Sequence, residues 1–236
     1  IGAAGAVVTV SDFAVQFLRD RFPDHNDKIV RVYNGIELDR FRPTDFSADP
    51  PVVISIGRLI EKKGLADLIE SCALLRRRDI SFGCEIIGEG PLESALRGQI
   101  AAAGLTTTVT LAGPLPQEEV IARLARSTIF VLPCVTEAGG GMDNLPTVIM
   151  EAMAAALPVL STPVSGVPEM VVAGETGLLV PEHQPVGLAD ALARLLENRE
   201  LARSLGEKGR ARAAELFAIE KSGRALREVF QRLGAI

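Results

Sequence analysis

Asp143 and Glu151 lie eight residues apart in the stretch D-N-L-P-T-V-I-M-E, which runs on into A-M-A-A-A-L-P-V-L-S-T-P. The spacing places the two carboxylates on either side of a helix start, just ahead of a short apolar strand. Asn144 has the side chain of an N-cap, and Pro146 suits a first turn, where its missing N–H costs nothing. Val148, Ile149, Met150, Ala152 and Met153 make the helix apolar on most sides, so Glu151 is a charge in a largely buried segment. Such a charge needs a partner or a ligand. Asp143 precedes the helix, where free N–H groups and the helix dipole favour anions. The arrangement suits an anionic ligand that also carries hydroxyls. The purely structural alternative is a capped helix with an incidental buried glutamate.

A basic counterpart stands earlier, in Gly57-Arg58-Leu59-Ile60-Glu61-Lys62-Lys63-Gly64. Gly57 permits a close backbone turn, Arg58 offers a forked donor, and Lys63 offers a compact charge. Two cations five residues apart across a loop match a diphosphate; an exposed basic loop closing a strand is the structural alternative. Gly88-Glu89-Gly90-Pro91 closes another apolar run. The third glycine of a dinucleotide fingerprint is missing, with Glu93 and Ser94 near its place, which speaks against NAD or FAD. An ordinary strand-to-helix turn explains this loop equally well. Ala112-Gly113-Pro114-Leu115 ends a further run. Three glycines, Gly139 to Gly141, make a flexible loop ahead of Asp143 that can approach a ligand closely. Glu137 competes for the ligand-facing role, but its spacing to Glu151 does not match. Gly166-Val167-Pro168-Glu169 and Gly174-Glu175-Thr176-Gly177 read as turns and helix caps. His25 and His183 fall in polar loops and are expected to be solvated.

These loops need a frame. Apolar runs at 52–56, 82–87, 109–112, 129–132, 158–160 and 177–180 alternate with helical patterns at 64–77, 91–103, 117–125, 147–156, 166–172 and 186–197. That alternation predicts an α/β fold, a Rossmann-like parallel sheet with helices on both faces. Ligands then bind at the carboxyl ends of the strands, where each of these loops falls. Residues 199–217 and 219–233 read as two closing helices. Residues 6–10 and 29–33 read as strands around a helix at 12–21, followed by an Asn34-Gly35 turn and a proline-bearing linker from 42 to 51.

With 236 residues the chain can form one sizeable core or two small ones. A net charge of −5 argues against nucleic acid as partner. Cys72, Cys84 and Cys134 show no paired spacing, which implies neither a zinc site nor a disulfide framework and fits a reducing cytosol. No apolar run has spanning length and no signal peptide leads the fold. The start at Ile1 reads as that of a fragment. No tract suggests a metal or a resident cofactor.

In order, these motifs resemble the family 4 retaining nucleotide-sugar glycosyltransferases (glycosyl transferases group 1) of GT-B fold. The signature of that family is an acidic residue, seven intervening residues, then Glu-Ala-Met-Ala. This chain has Asp143 where Glu is usual and Asn144 where Gly is usual. The resemblance implies that residues 1–45 end an N-terminal acceptor domain and cross to a donor-binding domain at 46–236. The rest of the N-terminal GT-B domain would lie ahead of Ile1, together with the acceptor site and a sugar-contacting histidine. It further implies that Arg58 and Lys63 grip the pyrophosphate beside Gly57, and that the Gly88 and Gly90 loop lies by the nucleoside. Backbone groups at Gly113 and Leu115 would hold the base. Asp143 would face the sugar, the backbone of Asn144, Leu145, Pro146 and Thr147 would approach sugar and phosphate, and Glu151 would bind the ribose. Catalysis would rest on Asp143, Arg58 and Lys63, without a metal, and the product would be a polysaccharide or glycolipid. The resemblance implies a cytoplasmic protein, with peripheral attachment to the inner membrane face as a family option. Two other functions compete: a nucleotide-sugar 2-epimerase of GT-B fold, and a non-catalytic nucleotide-sugar binding module.

Overall fold

The computed structural model describes residues 1–234. Six strands form one parallel sheet: β3 (Val52–Ile56), β4 (Gly83–Ile87), β5 (Val109–Gly113), β6 (Ile129–Leu132), β7 (Val159–Ser161) and β8 (Gly177–Leu179). Their spatial order is β5-β4-β3-β6-β7-β8. Side chains alternate between the two faces, and both faces are buried. Val53, Ile129 and Val131 join one core; Ile54, Ile56, Phe130 and Leu132 join the other. The first core is closed by α2 (Leu65–Arg77), α3 (Glu93–Ala102) and α7 (Pro185–Glu197), through residues such as Leu68, Ile100 and Leu192. The second is closed by α4 (Gln117–Arg126), α5 (Thr147–Ala154), α6 (Val167–Met170) and α8 (Arg199–Leu216), through Leu124, Met150, Val167 and Ala213. The α/β fold expected from the alternation is the fold observed.

The strand order reverses between β3 and β6. The chain moves outward from β3 to β4 and β5, then returns to β3's other side to lay down β6, β7 and β8. Loops leaving β3 and β6 at their carboxyl ends therefore diverge and open a crevice between them. The loop after β3 holds Gly57–Gly64, and the loop after β6 holds residues 133–146. Two contacts bring these loops together. The Val135 N–H donates to the Lys62 carbonyl at 3.0 Å. Gly64 sits at φ +62°, where a Cβ would fall 1.8 Å from the Pro133 carbonyl oxygen. Only glycine fits that approach.

A smaller parallel pair, β1 (Val7–Thr9) with β2 (Ile29–Arg31), is linked through α1 (Asp12–Arg21). The final helix, α9 (Ile219–Arg232), leaves α8 at Phe217, where Ile36 exchanges backbone hydrogen bonds with Phe217 and Ile219. Its far end returns to this pair, with Leu233 packed over Gly5. The linker is anchored to the larger unit: Thr44 bonds Ala155 and Ser127, and Phe41 and Phe46 are buried.

Three local expectations are corrected. Asn144 does not cap α5. Pro146 takes the N-cap position, with Thr147 as the first helical residue, because the Asn144 side chain and carbonyl are already engaged by Ser11, Ser165 and Gly166. The glycine stretch is a closed turn, not a free loop: Gly140 N–H donates to Glu137 and Glu137 N–H to Gly141. The helix expected at 166–172 is also shorter, Val167–Met170.

Gly64→Ala is expected to destabilise the chain by about 2–3 kcal/mol, since it adds both left-handed strain and a backbone collision. Urea unfolding of the two proteins measures this.

Candidate functional site

The site is built where β3 and β6 end. A single 3-10 turn, Glu61–Lys63, follows β3 and directs two lysines at the β6 loop. Lys62 Nζ lies 3.2 Å from Asp143 Oδ1, and Lys63 Nζ bonds Asp143 Oδ2. Lys63 is buried, its side chain only 11% exposed. Its aliphatic stem packs over Gly57, whose missing side chain leaves the room. Two lysines therefore pair with one carboxylate, with Arg58 exposed at the strand end and Glu61 turned to solvent. Charges this secluded need partners, and the excess is positive.

Glu151 lies one turn inside α5, half-buried, with Gln117 Nε2 3.4 Å from its Oε1. Burial pushes its carboxyl up, opposed by Gln117 and by the more distant charge of Arg40. The start of α5 carries no side-chain cap, so its first N–H groups are open to an anion. A lysine–aspartate cluster thus precedes a helix start that carries a half-buried carboxylate in its second turn. That combination can hold an anion bearing hydroxyls.

Gly88 and Gly90 have a packing reason. A Cβ at Gly88 would fall 2.0 Å from the Gly57 carbonyl, and one at Gly90 2.6 Å from the Leu59 carbonyl. The β4 loop is thus pressed onto the β3 loop, tied by Leu59 N–H to Glu89 and Leu92 N–H to Leu59. Gly113, at φ +74°, turns the chain out of β5, and its carbonyl accepts from Gly88 N–H. Leu145 is buried in the second core beneath the crevice, and Leu115 packs at that core's edge.

The family model for glycosyl transferases group 1 matches residues 38–212. The chain belongs to this family. It is 37% identical over 209 residues to the amylovoran biosynthesis glycosyltransferase AmsK of Erwinia amylovora, covering 88% of this chain and 51% of that one. It is 34% identical over 188 residues to a GDP-mannose-dependent α-(1-6)-phosphatidylinositol monomannoside mannosyltransferase of Mycobacterium tuberculosis, covering 75% and 49%. The chain thus spans about half the length of the curated relatives it matches. Among solved structures, sucrose-phosphate synthase from Thermosynechococcus elongatus superposes with a TM-score of 0.85 at 26% identity, covering 98% of this chain and 59% of that one. Anabaena HepE in complex with UDP-glucose superposes with a TM-score of 0.82 at 20% identity, covering 99% and 64%. The fold is that of the Rossmann-like C-terminal half of a GT-B glycosyltransferase.

Within this group 1 glycosyl transferase chain, the sequence-selected Lys63 and Asp143 are in direct contact, Arg58 stands exposed at the same strand end, and Glu151 bonds Gln117 one turn inside α5. Three contributors were missed. Lys62 was passed over beside Lys63, although both lysines sit on one short turn. Cys134, 3.9 Å from Asp143 through its Sγ, lines the floor, and burial pushes its thiol up to about 12. Gln117 reaches Glu151 from a separate helix, a contact that no local pattern signals. Glu137 bends over Gly141 and takes no part in the lysine cluster. His183 is exposed, 3.7 Å from Asp67. All three cysteines are free and buried. Among the described residues no cluster of metal-binding side chains occurs, and no helix is long and apolar enough to cross a membrane.

Glu151 is held above its ordinary range in the fold, so its ionisation opposes folding. The penalty is absent below the unfolded glutamate's pKa, where both states are protonated, and complete above the folded one. Glu151→Gln is therefore expected to raise stability at neutral pH and to leave it unchanged in acid. Thermal unfolding from pH 4 to 8 reads this; an equal shift at every pH would contradict it.

Proposed function

We propose that this chain is the donor-binding half of a retaining glycosyltransferase, which moves a sugar from a nucleoside diphosphate sugar to an acceptor in polysaccharide or glycolipid synthesis. The observation that carries this reading is the Lys62–Lys63–Asp143 cluster at the point where strand order reverses, eight residues ahead of the half-buried Glu151. The diphosphate lies against Lys63, Arg58 and the start of α5, while the ribose hydroxyls satisfy Glu151. The sugar lies toward Asp143 and the backbone of residues 144–147. In the transfer step the bond between the sugar's anomeric carbon and the phosphate oxygen breaks, and charge grows on the leaving diphosphate. Fixed cations stabilise that charge more in the transition state than in the ground state. The acceptor hydroxyl attacks from the side the diphosphate leaves, and its proton passes to the departing phosphate oxygen. Both Asp143 oxygens are engaged by lysines, which favours this course over attack by Asp143 itself.

The relatives named above, a polysaccharide-synthesis glycosyltransferase and a GDP-mannose-dependent enzyme, support the class of reaction. Their greater length supports an additional N-terminal domain as the second wall of the crevice. So do the exposed Phe13 and Phe17 of α1 and Phe230 and Leu233 at the end of the chain. A domain boundary near residue 45 fits this reading, with α9 returning to the N-terminal side. Free, buried cysteines accord with a cytoplasmic setting.

Calorimetric titration of the chain with UDP, GDP and ADP, without metal, tests the reading. One nucleotide is expected to bind saturably, and its base identifies the donor. Lys63→Ala and Glu151→Ala are each expected to weaken that binding by roughly 1.5–3 kcal/mol while retaining the fold. Unchanged affinity in both variants would remove the assignment.

A further inference from the structure

Glu169 reaches from α6 to the start of α1. Its Oε2 accepts from Asp12 N–H at 2.8 Å, and its Oε1 from Phe13 N–H at 2.9 Å. The Tyr33 hydroxyl donates to the same Oε2 at 3.0 Å. Arg31 lies over the Tyr33 ring at 3.8 Å and pairs with Asp12 at 2.8 Å. Burial, then the bond to Glu169, pushes the Tyr33 phenol up to about 12. From the sheet side, Arg212 of α8 donates to the Glu169 and Met170 carbonyls at 2.8 and 3.0 Å, so α6 is fixed from behind. The Gly166–Glu169 motif, expected to be turn and cap, does cap a helix; it is α1, more than 150 residues earlier in the chain.

The same end of α1 touches the donor loop. Ser11 is its N-cap, accepting from Ala14 N–H at 3.0 Å, and its hydroxyl donates to Asn144 Oδ1. Ser11 is fully buried. The Asn144 carbonyl in turn accepts from Gly166 N–H at 3.0 Å and from Ser165 Oγ at 3.3 Å. A Cβ at Gly166 would fall 2.5 Å from the Asn144 carbonyl and 3.1 Å from the Ser11 Cβ. Three segments thus meet at one point: residues 11–13, Asn144 and residues 165–169. Asn144 adjoins Asp143, so displacement of α1 pulls on the residue next to the lysine-bound carboxylate. Each link is a hydrogen bond to a buried or charged group, which is costly to leave unmade.

We propose that Glu169 and Asn144 form a clasp through which residues 1–33 position the loop that carries Asp143. Glu169 holds the segment, Ser11 transmits its placement to Asn144, and Asn144 sets the end of the loop, next to Asp143. Both are positioning residues. Their bearing on transfer rests on the donor-binding reading; the coupling does not.

Amide hydrogen exchange by mass spectrometry tests it in three variants of the chain. Glu169→Ala cuts the clasp on the α1 side and is expected to speed exchange in the 137–146 loop about tenfold, with β3 and β6 amides unchanged. Asn144→Gly cuts it on the loop side and is expected to speed exchange in the first turn of α1, since coupling is reciprocal. Asn144→Asp keeps an acceptor for Ser11 and is expected to restore protection of α1. Faster exchange confined to the mutated side in both Glu169→Ala and Asn144→Gly would overturn the clasp, as would no change in either. If the unaltered chain binds no nucleoside diphosphate, the donor reading fails while the exchange pattern still decides the clasp.

Discussion

Everything in this chain's crevice depends on one charged contact, that of Lys62 and Lys63 with Asp143 across the junction of β3 and β6. Secluding such charges costs solvation, and a secluded ion pair is a poor way to gain stability. Its presence is better explained by what it prepares. β3 and β6 lie side by side, yet the loops leaving them belong to opposite halves of the sheet. The contact, with the Val135–Lys62 hydrogen bond and the close approach of Gly64 to Pro133, ties those halves together at the ligand-facing end.

The result is a set of cations already in place before any ligand arrives. A chain of net charge −5 concentrates Lys62 and Lys63 on a single aspartate, with Arg58 at the same strand end. In the proposed reading, a diphosphate entering there would meet fixed positive charge without reorganising flexible side chains or water, the arrangement that lowers barriers for anionic leaving groups. Glu151 contributes in the opposite sense. Burial disfavours its ionised form, and in the proposed reading the ribose hydroxyls would supply it with partners.

The sheet was legible because both its faces are buried, and short runs such as 52–56 and 129–132 need only be apolar to be recognised. Order along the sheet was not legible from any run, and it is the order that decides which loops share a crevice. Arg58, Lys63, Asp143 and Glu151 could be selected from residue type and spacing alone. The direct pairing of Lys63 with Asp143 could not, because 80 residues separate them. Asn144 shows how a local rule fails: its side chain suits an N-cap, but its Oδ1 accepts from the distant Ser11 hydroxyl and α5 goes without a side-chain cap. Gly88 and Gly90 show the reverse, glycines readable as ligand loops that loop-on-loop packing already requires. Gln117 and Glu169 act on residues far along the chain, where periodicity carries no signal.

The most direct check is a crystal structure of the chain with the nucleoside diphosphate it binds. The account requires the diphosphate in the crevice between residues 57–63 and 143–147, with a phosphate oxygen bonded to Lys63 and the ribose hydroxyls on Glu151. A diphosphate seated elsewhere would contradict it. One such place is the cavity of about 420 Å³ lined by Arg40, Arg42 and Arg126 along α4, which shares no residue with the lysine cluster.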